Sequence, residues 1–218
     1  MCVSPAVATQ HPANTCGAPA DGKTPPNPCN AGRRALFLDR DGTLIVHVPY
    51  LHMPEEVKLI AGVSAALGEA RASGFELYLF TNQSGVGRGL FDLDAVHAVN
   101  QRMLELLGGG DDLFADVCIA PEAPDAPAVY RKPSPRFILE TCRADGLDPR
   151  QSWMIGDSPS DWEAGLAAGI NVAAVGCNAE EPEQNRRLRE ARGVPGYSSL
   201  QEAVRAIVAA VSHPDSKR

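Results

Sequence analysis

The sequence predicts an α/β protein, a parallel sheet with helices on both faces. Two patterns carry that expectation. Short apolar runs of strand length alternate along the chain with longer segments whose apolar residues recur at helical spacing. Several of the runs also end in polar, chemistry-bearing residues, at the place where an open parallel sheet binds its ligands.

Ala35 to Asp39 is an apolar run closing in charge, and is the first strand. Val63 to Ala72 has helical spacing, with Gly74 as its stop. Glu76 to Thr81 is a second strand. Asp92 caps a helix to about Leu107, with Val96, Val99, Met103 and Leu106 on one face. Asp116 to Ala120 is a third strand, and Pro135 to Ala144 a helix. Ser152 to Ile155 is a fourth strand, Asp161 to Ala168 a helix, and Asn171 to Val175 a fifth strand. Leu200, Ala203, Val204, Ile207, Val208 and Val211 form the apolar stripe of a closing helix. No internal repeat is visible.

Residues 1–33 differ from this pattern. They contain Pro5, Pro12, Pro19, Pro25, Pro26 and Pro28 and little apolar material, so they are expected to be a flexible extension. They carry neither the basic region nor the apolar stretch of a secretory signal. Residues 34–218 are then the folded domain. The chain has a formal net charge of -7, and the extension is not acidic, so the acidity belongs to the domain. That balance argues against binding to nucleic acid or an anionic membrane, and no apolar run approaches a spanning helix. The six cysteines are scattered, without zinc spacing, which points to a reduced, cytoplasmic protein.

Four strand ends gather polar residues: Asp39, Arg40, Asp41, Gly42 and Thr43 after the first, and Thr81, Asn82, Gln83 and Ser84 after the second. Arg131, Lys132 and Pro133 follow the third, across a Pro-rich loop, and Gly156, Asp157, Ser158 and Asp161 follow the fourth. Carboxylates brought together repel and need a cation among them, and oxygen donors of this kind suit Mg²⁺. A carboxylate beside such a cation can attack phosphorus, and a second can protonate the leaving oxygen and then activate water. A lysine and a hydroxyl can hold the phosphoryl oxygens. Any one of these motifs alone is an ordinary turn or cap; their order after successive strands points to phosphoryl chemistry.

The stretches Phe37 to Leu44, Thr81 to Gly89, Arg131 to Pro133 and Gly156 to Asp161 resemble the four motifs of the haloacid dehalogenase superfamily. More narrowly, they resemble the subgroup of heptose bisphosphate phosphatases and histidinol-phosphate phosphatases. The resemblance implies a Rossmann-like fold and a Mg²⁺-dependent phosphatase for a phosphorylated sugar or similar small molecule, working through an aspartyl-phosphate. By position it implies Asp39 as nucleophile and Asp41 as general acid/base, with Thr81 and Lys132 on the phosphoryl group. Mg²⁺ would be held by Asp39, the Asp41 carbonyl and Asp157, supported by Asp161. Gly42 would allow a sharp turn that Thr43 braces. Arg40, His47, Tyr50, Asn82, Gln83, Ser84, Arg131 and Ser158 are the candidate substrate contacts.

Two departures from the subgroup stand out. Its members carry a structural zinc loop of Cys-x-His and Cys-x-Cys before Arg-Lys-Pro. The matching positions here are Ala120, Glu122, Ala128 and Tyr130, so no zinc is expected. Where an acidic sugar contact is usual, this chain has His47-Val48-Pro49-Tyr50. The spacing also leaves no room for a large cap domain, and the rim is expected to be open. Two other readings remain: a 3′-phosphatase for polynucleotides, which the acidic domain disfavours, and a non-enzymatic phospho-receiver domain, which would place its acceptor Asp after the third strand instead of the first.

Overall fold

In a computed structural model, residues 32–212 are described. The extension expected over 1–33 lies almost wholly outside the described residues, as do residues 213–218. Five parallel strands form one sheet: β1 (Arg34–Leu38), β2 (Phe75–Asn82), β3 (Asp116–Ala120), β4 (Trp153–Gly156) and β5 (Asn171–Ala174). Their order across the sheet is β3-β2-β1-β4-β5. β1 therefore lies at the centre, with Leu36 opposite both Leu77 of β2 and Trp153 of β4. The connections leave β1 toward one edge and return on its other side, which opens a crevice at the carboxyl ends of β1 and β4.

The strands alternate strictly, because successive side chains of a strand point to opposite faces. Leu36, Leu38, Leu77 and Leu79 join a core with α1 (Val63–Ala72), α3 (Leu93–Leu107) and α7 (Leu200–Ser212). Ala35, Phe37, Tyr78 and Phe80 face the other way, onto α4 (Arg136–Asp145) and α5 (Pro159–Ala168). On that side Phe137 meets Phe37 edge-on, with ring centroids 5.8 Å apart, and Trp162 donates its indole N–H to the Gly156 carbonyl at 3.0 Å.

The expected elements are present, most within one or two residues of their expected ends. Asp92 caps α3 by accepting from the Ala95 N–H at 2.9 Å. One face assignment is corrected: Leu106 is exposed at the end of α3, and Asn100 is buried beside Val96, Val99 and Met103 instead. Two helices were not foreseen. α2 (Ser84–Gly87) is a single turn, and α6 (Glu183–Ala191) buries no residue. α6 has no apolar stripe to read; Glu183 pairs with Arg186 and Arg187 one turn on. Among the described residues, no folded insert covers the carboxyl edge of the sheet. The β1–α1 segment holds a 3-10 turn at Pro54–Glu56 and a single antiparallel bridge between Ile45 and Leu59, and the β3–α4 segment holds no regular element. No helix is long and apolar enough to cross a membrane.

Candidate active site

The site forms where β1, β2 and β4 end. The Asp39 N–H donates to the Ile155 carbonyl at 3.0 Å, which ties the end of β1 to β4. The chain then turns tightly, with the Leu44 and Ile45 N–H groups both donating to the Arg40 carbonyl, at 2.9 and 3.1 Å. Gly42 makes that turn at φ +87°, in the left-handed region. It has a second reason to be glycine: a Cβ there would lie 2.2 Å from Asp157 Oδ2. Gly156 serves Asp161 in the same way, with a Cβ landing 2.2 Å from Asp161 Oδ2. Two carboxylates thus sit where only hydrogen atoms leave space. The Thr43 hydroxyl, expected to brace the turn, is buried without a hydrogen-bond partner among the described residues. Backbone hydrogen bonds close the turn in its place.

Asp39, Asp157 and Asp161 each offer an oxygen within 4.8 Å of the others. The buried Lys132 ammonium donates to Asp39 Oδ1 at 2.5 Å and to the Phe80 carbonyl at 2.7 Å, and lies 2.6 Å from Asp161 Oδ1. Burial pulls the Lys132 pKa down, but Asp161 and Asp39 outweigh it and carry it above the ordinary lysine value. Burial pushes the Asp39 carboxyl well above its usual range; Lys132 opposes that shift, and Asp161, Asp157 and Asp41 add to it. Asp157 is pushed up to about 6, chiefly by burial and then by Asp161. Burial is the first cause of both shifts, and one ammonium among three carboxylates leaves surplus negative charge that adds to them. An all-oxygen set with surplus negative charge fits a hard divalent cation such as Mg²⁺.

Asp161 is already committed. Its Oδ2 accepts from the Ser158 N–H at 3.0 Å and the Ser158 hydroxyl at 2.8 Å, and its Oδ1 faces Lys132. Asp39 and Asp157 are the members of the cluster that could hold a cation. The Ser158 contacts also correct an expectation: its hydroxyl closes the first turn of α5 and is not presented to a substrate.

Three more candidate substrate contacts turn inward. Arg40 is fully buried. Its guanidinium donates to Asp41 from Nε at 3.0 Å and from Nη2 at 3.3 Å, and to Asn100 Oδ1 from Nη1 at 2.8 Å. Gln83 is also buried, and its amide donates to Asp41 Oδ2 at 2.9 Å and Thr81 Oγ1 at 2.8 Å. Both residues hold the Asp41 carboxylate, Arg40 with its guanidinium and Gln83 with its amide nitrogen. Asn82 clasps the main chain of Lys132, accepting from its N–H at 2.9 Å and donating to its carbonyl at 3.1 Å. The reason is the same in each case: a polar group withdrawn from water needs a partner, and the nearest partners are Asp41, Thr81 and Lys132.

The remaining candidates line the rim. His47 is exposed and close enough to Asp157 to draw its pKa down. Tyr50 is exposed at φ +57°, with the Arg88 guanidinium 5.7 Å from its ring centroid. His52 accompanies it, stacked on Phe91 at 5.4 Å, so the 46–53 and 84–91 loops lean on each other. Ser84 is half-buried at the start of α2. Arg131 is half-buried; burial lowers its pKa, Glu122 opposes the shift, and Arg88 adds to it. Asn100 was not singled out in the sequence, and Arg88 and Glu122 were read there only as parts of a motif and a loop, without a role. Asn100 was readable only as a polar residue on an otherwise apolar helix face.

Known proteins similar to this chain are phosphatases and HAD-like hydrolases. A HAD-hydrolase-like family model matches residues 129–203. The D-glycero-beta-D-manno-heptose-1,7-bisphosphate 7-phosphatase of Rhodopseudomonas palustris is 37% identical over 145 residues, covering 63% of this chain and 81% of the relative. That of Mesorhizobium japonicum is 39% identical over 146 residues, covering 62% and 66%. Among solved structures, one classed as a HAD-like phosphatase from Mesorhizobium loti superposes with a TM-score of 0.67 at 31% identity, over 85% of this chain and 90% of that one. The heptose 1,7-bisphosphate phosphatase of B. bronchiseptica, solved with magnesium and phosphate, has a TM-score of 0.70 at 24% identity, over 82% and 99%.

Proposed function

The chain belongs to the haloacid dehalogenase-like phosphatases, among the relatives of the heptose-1,7-bisphosphate 7-phosphatases, and from that membership we propose a Mg²⁺-dependent phosphomonoesterase for a doubly phosphorylated sugar of the heptose 1,7-bisphosphate type. The observation that carries the chemistry is the buried Lys132 ammonium set between Asp39 and Asp161, with Asp157 completing the acidic cluster.

Asp39 is the nucleophile of this reading. Lys132 orients its Oδ1 and favours its ionised form. Attack on phosphorus forms the aspartyl-phosphate and releases the sugar oxygen, which takes a proton from Asp41. Asp41 then removes a proton from water as that water attacks phosphorus, and phosphate leaves with Asp39 restored. Asp41 ends the cycle protonated, as it began. Arg40 and Gln83 keep its carboxyl in place through both proton transfers. Mg²⁺ held by Asp39, the Asp41 carbonyl and Asp157 would supply charge neutralisation at the phosphate oxygens. Thr81, at the end of β2, would help hold those oxygens.

At the open rim, Arg131 and Arg88 would meet the second phosphate, with His47 and Tyr50 on the sugar side. The cytoplasm, a reducing compartment that suits six scattered cysteines, is the compartment this reading implies. A phosphate-release screen in Mg²⁺ tests the substrate. Heptose 1,7-bisphosphates should give the highest kcat/KM among heptose bisphosphates, histidinol phosphate, nucleotides and 3′-phosphorylated oligonucleotides. A higher value for any of the other three classes would replace the sugar reading.

A further inference from the structure

The segment between β3 and α4 has no regular structure, yet it carries Arg131 and Lys132 to the rim. The zinc site that the subgroup resemblance implies for this loop does not fit its residues. Ala120, Glu122, Ala128 and Tyr130 include no thiolate or imidazole. Among the described residues, the one metal-sized cluster of acidic, His or Cys side chains is the Asp39, Asp157 and Asp161 group.

A carboxylate near the start of the loop closes it instead. Glu122 Oε1 accepts from the Tyr130 N–H at 2.8 Å and the Val129 N–H at 3.2 Å, bridging eight residues of chain. Burial pushes the Glu122 carboxyl up, but these backbone donors outweigh it and hold the group below its usual range. The Glu122 carbonyl accepts from Arg131 Nη1 in a long contact of 3.4 Å, so the same residue meets the arginine side chain. The other end of the loop is seated on α2: Gly87 donates to the Pro121 carbonyl at 3.0 Å, and a Cβ on Gly87 would fall 2.5 Å from that oxygen. Asn82 separately fixes the main chain of Lys132. The loop thus has two anchors at its ends, and Glu122 closes the span between them.

We propose that Glu122 is a positioning residue that closes the 122–130 loop with its carboxylate, in place of a metal, and thereby sets Arg131 at the rim. The closure stands on the loop geometry alone; what Arg131 meets rests on the function proposed above. The neighbouring Lys132 is held by other residues, so losing Glu122 should disturb recognition and spare the chemical step.

The test uses the full chain with Mg²⁺. Glu122→Ala should speed hydrogen exchange at the Val129 and Tyr130 amides about tenfold or more, the scale of one lost charge-assisted hydrogen bond. KM for heptose 1,7-bisphosphate should rise about tenfold with kcat within twofold. KM for p-nitrophenyl phosphate, which has no second phosphate, should not move. Glu122→Gln keeps one acceptor oxygen and should restore most of the protection and the KM. Wild-type protein should carry no stoichiometric zinc, and a zinc chelator should leave amide protection unchanged. Stoichiometric zinc whose removal frees the two amides overturns the proposal. So does wild-type exchange in Glu122→Ala, or an equal loss on both substrates. If wild-type protein does not hydrolyse the heptose bisphosphate, the substrate reading fails by itself; exchange and metal content still decide the role of Glu122.

Discussion

Gly42→Ala separates backbone strain from site disruption. Gly42 sits at φ +87°, so any L side chain there costs roughly 1–2 kcal/mol. Its Cβ would also lie 2.2 Å from Asp157 Oδ2, where real Cβ contacts do not fall below 3.0 Å. Asp157 must recede by roughly 1 Å, and misplacing a catalytic group by that much can cost about a hundredfold in rate. Gly169, at the end of α5, supplies the control. Its φ is +74°, and an added Cβ meets nothing within 4 Å. Both variants should lose similar stability, about 1–2 kcal/mol by denaturant melting, from the left-handed backbone alone. Steady-state phosphate release against Mg²⁺ concentration should then separate them. Gly169→Ala should titrate as wild type. Gly42→Ala should need at least tenfold more Mg²⁺ and lose about a hundredfold in kcat. A Gly42→Ala enzyme with a wild-type Mg²⁺ titration would refute the placing of Asp157 at the cation.

Asp39→Asn should remove turnover by about 10⁴-fold or more while its melting temperature stays within a few degrees, and residual wild-type activity would end the nucleophile assignment. Asn100→Leu leaves the buried Arg40 Nη1 without its acceptor, which costs about 1–3 kcal/mol. It should also lower kcat and shift its pH profile as Asp41 loosens; a wild-type profile in a folded variant would show that Asn100 does not act through Arg40. Asp157, held near 6 against an ordinary 3.8, keeps its proton in the folded metal-free protein at pH values where the unfolded chain has released it. Its contribution to stability is therefore present below about pH 4 and lost as pH rises through about 6. Mg²⁺ competes with that proton. Apparent Mg²⁺ affinity, measured by calorimetry, should fall by about tenfold or more per pH unit below 6, because Asp39 is raised as well; a flat affinity from pH 5 to 7 would contradict the shift.

The layering of the fold was legible because it is written in local periods. In β1, Leu36 and Leu38 alternate with Ala35 and Phe37, and each set fills a different core. α7 shows its stripe from Leu200 to Val211. α6 was not legible because it buries nothing; its ion pairs with Glu183 leave no period to read. α2 was hidden by its two glycines, and its turn rests partly on Gly87 donating to Pro121, a residue of another loop.

The acidic residues of the site were legible for a related reason. Asp39 and Asp157 follow their strands directly, and parallel strands deliver their carboxyl ends to one edge. The sequence by itself therefore determined the sheet, its two cores and the edge at which Asp39, Asp41, Lys132 and Asp157 would gather. Only the tertiary structure decided which polar residues face a substrate and which serve their neighbours. Arg40 meets Asn100 from 60 residues away, and Lys132 meets Asp39 from 93. Arg40, Asn82, Gln83 and Ser158 share composition and position with rim residues, yet all four are spent on the catalytic groups or their supports. Period and motif are properties of adjacent residues. The partner of a buried donor is set by whichever distant segment the packing brings beside it, and no local pattern records that choice.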